Sequence, residues 1–280
     1  MPLQNIPKII YGTAWKKNRT TQLVLDAILL GIRGIDTAAQ PKYYSEKMVG
    51  EALTILSEKH KINRSNIFLQ TKFTPLSGQD PKNLPYDKDA ELQVQVEQSF
   101  KNSLENLKTD YVDALLLNSP FPKFEDTMKV WKKFEILFEE KKVLRLGISN
   151  IYSLEQLKEI SQEAKHKPTI IQNRFYSDSN YDMEIRSFCE RHLMTYQSFW
   201  TLTGNPNVLS DPDFEKISDK LRLTKEQLFL KFAMQLGIIP LIGTSDKGHM
   251  KKDLDLLDLK DLDKNVMQEI KDIMMMDKEL

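Results

Sequence analysis

Asp36, the adjacent tyrosines Tyr43 and Tyr44, and Lys72 are the residues of this 280-residue chain whose types and spacing offer chemistry. Asp36 closes a short apolar run, and a polar loop carrying both tyrosines leads to a helix start near Ser45. Lys72 sits in Ile67-Phe68-Leu69-Gln70-Thr71-Lys72-Phe73, where apolar neighbours would strip water from an ammonium. A buried lysine needs a partner, and Asp36 on the neighbouring strand is the candidate. Such a pair beside a tyrosine would favour the phenolate and lower the tyrosine's pKa, making it a general acid near neutrality. A purely structural ion pair at a barrel rim fits the same spacing, since ion-pair networks also perturb pKa values. A desolvated lysine suits a Schiff-base lyase as well, a reading that an Asp36 partner disfavours.

Uncharged hydrogen-bonding groups form a second set. Ser149, Asn150 and Gln172 stand at the ends of adjacent apolar runs, where together they could hold a planar amide such as a nicotinamide carboxamide. Singly, each is also an ordinary turn or cap residue, and Gly147-Ile148-Ser149-Asn150 reads equally as a turn into a helix at Ser153. After the last run, Ser245, Lys247 and the segment to Lys252 suit a phosphate at a helix N-terminus. A solvated loop has the same composition.

The elements that must position these groups follow from periodicity. Eight short apolar runs recur: Ile9–Ala14, Ile32–Ala38, Ile67–Phe73, Val112–Asn118, Val143–Ser149, Thr169–Phe175, Met194–Trp200 and Ile238–Gly243. Each is β-branched or aromatic-rich and of strand length. Between them lie amphipathic stretches: Thr21 to Ile32 behind Thr20-Thr21 caps, Asp89 to Leu107, Phe124 to Glu140, Ser153 to Ala164, Met183 to His192, and Thr224 to Gln235. Thr74–Asp89 and Thr201–Asp213 read as long loops, and Asp253–Asp263 as a surface helix with its loop. Eightfold strand–helix alternation predicts an α/β fold, a (β/α)8 TIM barrel in a single domain over 1–280. An open dinucleotide-binding sheet is the rival, but Gly12-Thr13-Ala14-Trp15 lacks its glycine spacing. In a barrel, the groups named above all fall at the C-terminal strand ends, where barrels build their sites.

Composition bounds the partners. Lysine plus arginine and aspartate plus glutamate number 40 each, so the net charge is zero and no nucleic-acid surface is expected. The single cysteine, Cys189, reads as a buried packing thiol in a reducing compartment. The scattered histidines predict no metal site. With no signal-peptide pattern and no membrane-length run, a cytoplasmic protein is expected, and a monomer.

The ordered set Gly34-Ile35-Asp36-Thr37-Ala38, Glu46, Val49-Gly50, Thr71-Lys72, Tyr111-Val112-Asp113-Ala114-Leu115-Leu116-Leu117-Asn118-Ser119-Pro120, Gly147-Ile148-Ser149-Asn150 and Gln172 resembles the aldo-keto reductases, from about Ile9 to Leu257. The resemblance implies a barrel that binds NADPH in extended form, with NADH left open, and reduces an aldehyde or ketone to an alcohol. Its catalytic set is Tyr44, Lys72, Asp36 and Asn118, with Tyr43 as the alternative to Tyr44. Counting back from Val49-Gly50 without a gap favours Tyr43, whereas the loop spelling of the subgroup this chain most resembles favours Tyr44. The implied cofactor contacts are Gly12, Thr13, Ser149, Asn150, Gln172, Gln197, Ser198, Gly243, Thr244, Ser245, Lys247 and Asp253.

Three departures stand out. Asn118 replaces the family's histidine and cannot titrate. Gln197 registers with its nicotinamide-stacking tyrosine, so that Phe199 or Trp200 would have to supply the ring. His249 registers with an arginine for the 2′-phosphate, which leaves Ser245 and Lys247 for that task. The alternative to a reductase is a cofactor-binding barrel with little turnover, acting as a regulatory or sensor subunit. Trp15, Phe121 and Trp200 are expected at an apolar mouth.

Overall fold

In the computed structural model, which describes residues 5–276, eight parallel strands close a barrel in chain order. They are β1 (Ile10–Gly12), β2 (Gly34–Asp36), β3 (Phe68–Phe73), β4 (Ala114–Leu117), β5 (Leu146–Ser149), β6 (Ile170–Arg174), β7 (Thr195–Phe199) and β8 (Ile239–Ile242). β1 closes on β8 through Ile10–Leu241 and Tyr11–Ile242. Each apolar run contains one strand, so the (β/α)8 expectation holds. Residues 1–4 and 277–280 of the single-domain span lie outside the described residues.

The helices are α1 (Thr20–Leu30), α2 (Glu46–His60), α3 (Leu92–Leu107), α4 (Phe124–Glu139), α5 (Leu154–Glu163), α6 (Met183–Arg191), α7 (Pro206–Ser210), α8 (Pro212–Leu221), α9 (Lys225–Gln235), α10 (Lys247–Asp255) and α11 (Lys264–Met276). Among the described residues, no helix is long and apolar enough to cross a membrane. Ser45 caps α2 by accepting from the Met48 amide, and Thr224 with Gln227 forms a capping box on α9.

Three local expectations fail for identifiable reasons. Thr20 and Thr21 do not cap α1, because a 3₁₀ turn over Lys17–Arg19 runs straight into it. Their hydroxyls donate instead to the Lys17 carbonyl and to Met48 and Glu51. The Thr201–Asp213 loop holds α7 and the start of α8: Pro206 and Pro212 sit in first turns, where a missing N–H costs nothing, and Asp211 caps α8. The surface helix expected within Asp253–Asp263 lies earlier, because Asp246 caps a helix that already ends at Asp255.

Alternation along the strands sorts the side chains. On β3, Leu69 and Phe73 join the large apolar layer between barrel and helices, while Phe68 points inward. Inside, Ile10, Phe68, Ala114, Leu116 and Ile170 form a small apolar plug. Above it the inward positions turn polar: Asp36, Gln70, Lys72, Gln172 and Gln197 are all buried.

Gly50 shows how tightly the outer ring is closed. A Cβ built there would lie 2.0 Å from the Asn106 carbonyl oxygen and 3.0 Å from the backbone carbons of Asn106 and Leu107. These are backbone atoms, so α2 and α3 would have to part. Gly50→Ala is therefore expected to destabilise by about 1–3 kcal/mol, despite alanine's helix propensity, read as a lower urea midpoint.

Candidate active site

At the top of the polar layer, Lys72 Nζ donates to Asp36 Oδ1 at 2.6 Å, to Asp36 Oδ2 at 2.7 Å and to the Thr37 carbonyl at 3.1 Å. Both partners are 2% exposed. All three ammonium protons are spent, which leaves no lone pair for Schiff-base chemistry. Asp36 Oδ1 also accepts from Gln70 at 2.7 Å and from Gln172 at 3.1 Å. Gln197 Oε1 accepts from both glutamines, at 2.8 and 2.9 Å, and Gln197 Nε2 donates back to Gln70 at 3.0 Å. These bonds tie β2 and β3 across the barrel to β6 and β7. A buried charge held by so many fixed donors has little room to move.

Outside the same strand, Glu46 at the start of α2 accepts from Thr71 at 2.5 Å and from Ser103 at 3.0 Å. Burial pushes its carboxyl up to about 7. The spacing of charges near Asp36 did not single out Gln70 or Glu46. Parity with Lys72 marks Gln70 as inward and Thr71 as outward, facing α2.

The two tyrosines part company. Lys72 Nζ lies 5.3 Å from the centroid of the Tyr44 ring. Tyr43 packs against Trp15 at 4.1 Å between the centroids of tilted rings, and Lys42 Nζ lies 5.0 Å from its ring centroid. The Tyr44 phenol moves against expectation: desolvation first, then the Asp36 charge, raise its pKa. Lys72 does not reverse this, because its charge is matched by Asp36 at contact distance. Tyr44 therefore keeps its proton across the neutral range.

Above these groups opens a cavity of about 710 Å³ at the C-terminal end of the barrel. Gly12, Asp36, Tyr43, Tyr44, Lys72, Asn118, Ser149, Asn150, Gln172, Gly243, Thr244 and Asp253 line it, together with Trp15 and Trp200. Phe121 does not; it packs on the apolar layer. Thr13 and Ser198 are also absent from the wall, since alternation turns them outward. Thr13 donates to the Asp36 carbonyl, and Ser198 bonds Thr201. Gln197 points inward but lies one layer too deep, fully buried; Phe199, two residues on, reaches the wall with Trp200.

Ser245 and Lys247 do not line the cavity either. Lys247 pairs with Asp26 at 2.8 Å, and the Ser245 carbonyl accepts from Arg19 at 3.2 Å. Asp246 already caps α10 by accepting from the His249 amide at 2.9 Å, so the helix N-terminus carries its own carboxylate.

The aldo/keto reductase family profile matches residues 8–274. The chain belongs to the aldo/keto reductase family. It is 30% identical to an uncharacterised oxidoreductase of Schizosaccharomyces pombe, covering 95% of this chain and 87% of that one. It is likewise 30% identical to an NADPH-dependent alpha-keto amide reductase of Saccharomyces cerevisiae, over 84% and 76% of the two chains. An aldo/keto reductase structure from Brucella melitensis, 27% identical, superposes with a TM-score of 0.80 over 96% of this chain and 95% of its own.

As an aldo/keto reductase, and so an oxidoreductase, this chain carries an asparagine in the cavity wall. Asn118 faces the cavity, and its carbonyl accepts from Asn150 Nδ2 at 2.8 Å. Ser149 Oγ donates to the Gln172 carbonyl at 2.8 Å, so β5, β6 and Asn118 form one hydrogen-bonded rim. Across the mouth, Lys16 reaches the Gly243 carbonyl at the exit of β8. Asp253 lines the same side, its carboxyl pushed up to about 6 by burial. Lys16 was missed in the sequence because the surrounding segment, Trp15-Lys16-Lys17-Asn18-Arg19, reads as a solvated loop.

Proposed function

We propose that this protein reduces an aldehyde or ketone to the corresponding alcohol with NADPH. The observation that carries the reading is Tyr44 lying against the buried Lys72–Asp36 pair on the wall of the cavity. The chemical make-up of the wall fits a nicotinamide dinucleotide. Uncharged amide and hydroxyl groups of Ser149, Asn150 and Gln172 occupy one side, and the Lys16 ammonium the other. Phe199 and Trp200 offer aromatic surface between polar groups, and the volume lies within the usual range for small-molecule sites. The name of the yeast relative supports NADPH over NADH.

When bound, the nicotinamide supplies the hydride. Tyr44 holds the proton that the carbonyl oxygen receives, and burial keeps it protonated until the transfer. Lys72, held by Asp36, stabilises the phenolate that proton transfer leaves behind. Asn118 orients the carbonyl by donating a hydrogen bond and takes no part in proton transfer. With Lys247 turned to Asp26, binding of the 2′-phosphate falls to Arg19 and Lys16, which reach the β8 exit from the β1 side.

The test is NADPH oxidation over a panel of aldehydes and ketones, with NADH in parallel. Consumption of NADPH with at least one carbonyl, at a lower KM than for NADH, is expected. Tight NADPH binding by fluorescence without turnover would favour the regulatory barrel instead. Binding of neither nucleotide would overturn both.

A further inference from the structure

Three basic side chains line the cavity: Lys16, Lys72 and Arg174. Lys72 is spent on Asp36 and Thr37, and Lys16 donates to Gly243. Arg174, the last residue of β6, is different. Among the described residues its side chain makes no hydrogen bond or ion pair, and its Nε is buried without an acceptor. The guanidinium lies 4.3 Å from the Trp200 ring centroid and 6.0 Å from that of Phe199. Arg174 is two residues beyond Gln172 on the same strand, so both face the barrel axis, with Arg174 nearer the mouth.

An arginine held over an indole at this distance is positioned before any ligand arrives. Its donors then present the fork that a carboxylate matches with two parallel bonds. A buried donor without a partner inside a cavity is a group that a ligand completes. We propose that Arg174 binds a carboxylate carried by the substrate, so that oxo-acids, carbonyl compounds bearing a carboxylate, are preferred over neutral carbonyls. This rests on the reductase reading above. The competing source of the same oxyanion chemistry is the cofactor's diphosphate. The basic groups given above to the cofactor, Lys16 and Arg19, stand on the β1–β8 side, whereas Arg174 stands on β6 beside the amide rim.

The test compares benzaldehyde with 4-carboxybenzaldehyde in the wild type, Arg174→Met and Arg174→Lys, with NADPH dissociation constants measured for each. Methionine keeps a stem of similar length against Trp200 and removes the fork. The expected result is a wild-type preference for the carboxylated aldehyde. In Arg174→Met, the ratio of kcat/KM between the two substrates falls by about 30-fold, mostly through KM. Arg174→Lys restores only part of it. An unchanged ratio in Arg174→Met, or a loss expressed as weaker NADPH binding, overturns the proposal.

A second readout does not need turnover: tryptophan fluorescence titrated with benzoate in the wild type and in Arg174→Met. Saturable quenching that the substitution abolishes upholds carboxylate capture even if neither aldehyde is reduced, in which case the reductase reading alone fails. No difference between the two proteins overturns the carboxylate site.

Discussion

Tyr44→Phe is expected to lower kcat for carbonyl reduction by about 10²–10⁴-fold, the range that a positioned general acid contributes. KM and the affinity for NADPH should move little, because the ring that packs on Lys72 is kept and only the hydroxyl is lost. Tyr43→Phe is expected to retain most of the activity. Tyr43 packs against Trp15 with Lys42 over its ring, whereas the ring beside Lys72 is that of Tyr44. Steady-state NADPH oxidation by both variants checks the pair. The reverse order of losses would move the acid to Tyr43, and full activity in both would remove tyrosine from the chemistry altogether.

Lys72→Met is expected to damage activity and stability together. Without the ammonium, the Asp36 carboxyl is left in a site that is 2% exposed, with only the side chains of Gln70 and Gln172 donating to it. Removing one partner of a buried pair costs about 3–5 kcal/mol, which urea unfolding at neutral pH would read directly. Loss of the cation beside Tyr44 should also lower kcat by about 10²-fold or more.

The double variant Asp36→Asn/Lys72→Met separates the two effects. It removes both charges, so much of the stability should return, because the uncompensated carboxylate is gone. Activity should not return, because the phenolate left on Tyr44 still lacks its cation. Recovery of both in the double variant would mean that Lys72 acts only to neutralise Asp36.

Several features of the site were readable from residue order. Strand alternation carries Phe68, Gln70 and Lys72 to one face and Leu69, Thr71 and Phe73 to the other. The same rule places Ala114, Leu116 and Asn118 inward, so Asn118 arrives at the mouth without help from distant residues. Applied to β1 and β7, it also turns Thr13 and Ser198 away from the cavity, where matching to the family pattern had set them. The direction of the Tyr44 pKa was misjudged for an electrostatic reason. At the phenol, burial and the Asp36 carboxylate beside Lys72 together outweigh the attraction of the lysine's charge.

By itself, the sequence determined the eight strands, the barrel they close, and the inward placement of Asp36, Lys72, Asn118 and Gln172. These depend on local periods of two and 3.6 residues, which each segment carries within itself. Tertiary structure alone decided which tyrosine meets Lys72, how deep Gln197 lies, that Lys247 turns to Asp26, and that Arg174 settles on Trp200 without an acceptor. Depth in a barrel is set by the stagger between strands that are far apart in the chain. The direction of a loop side chain is set by whichever distant group packs or pairs with it, and neither leaves a periodic trace in the residues nearby.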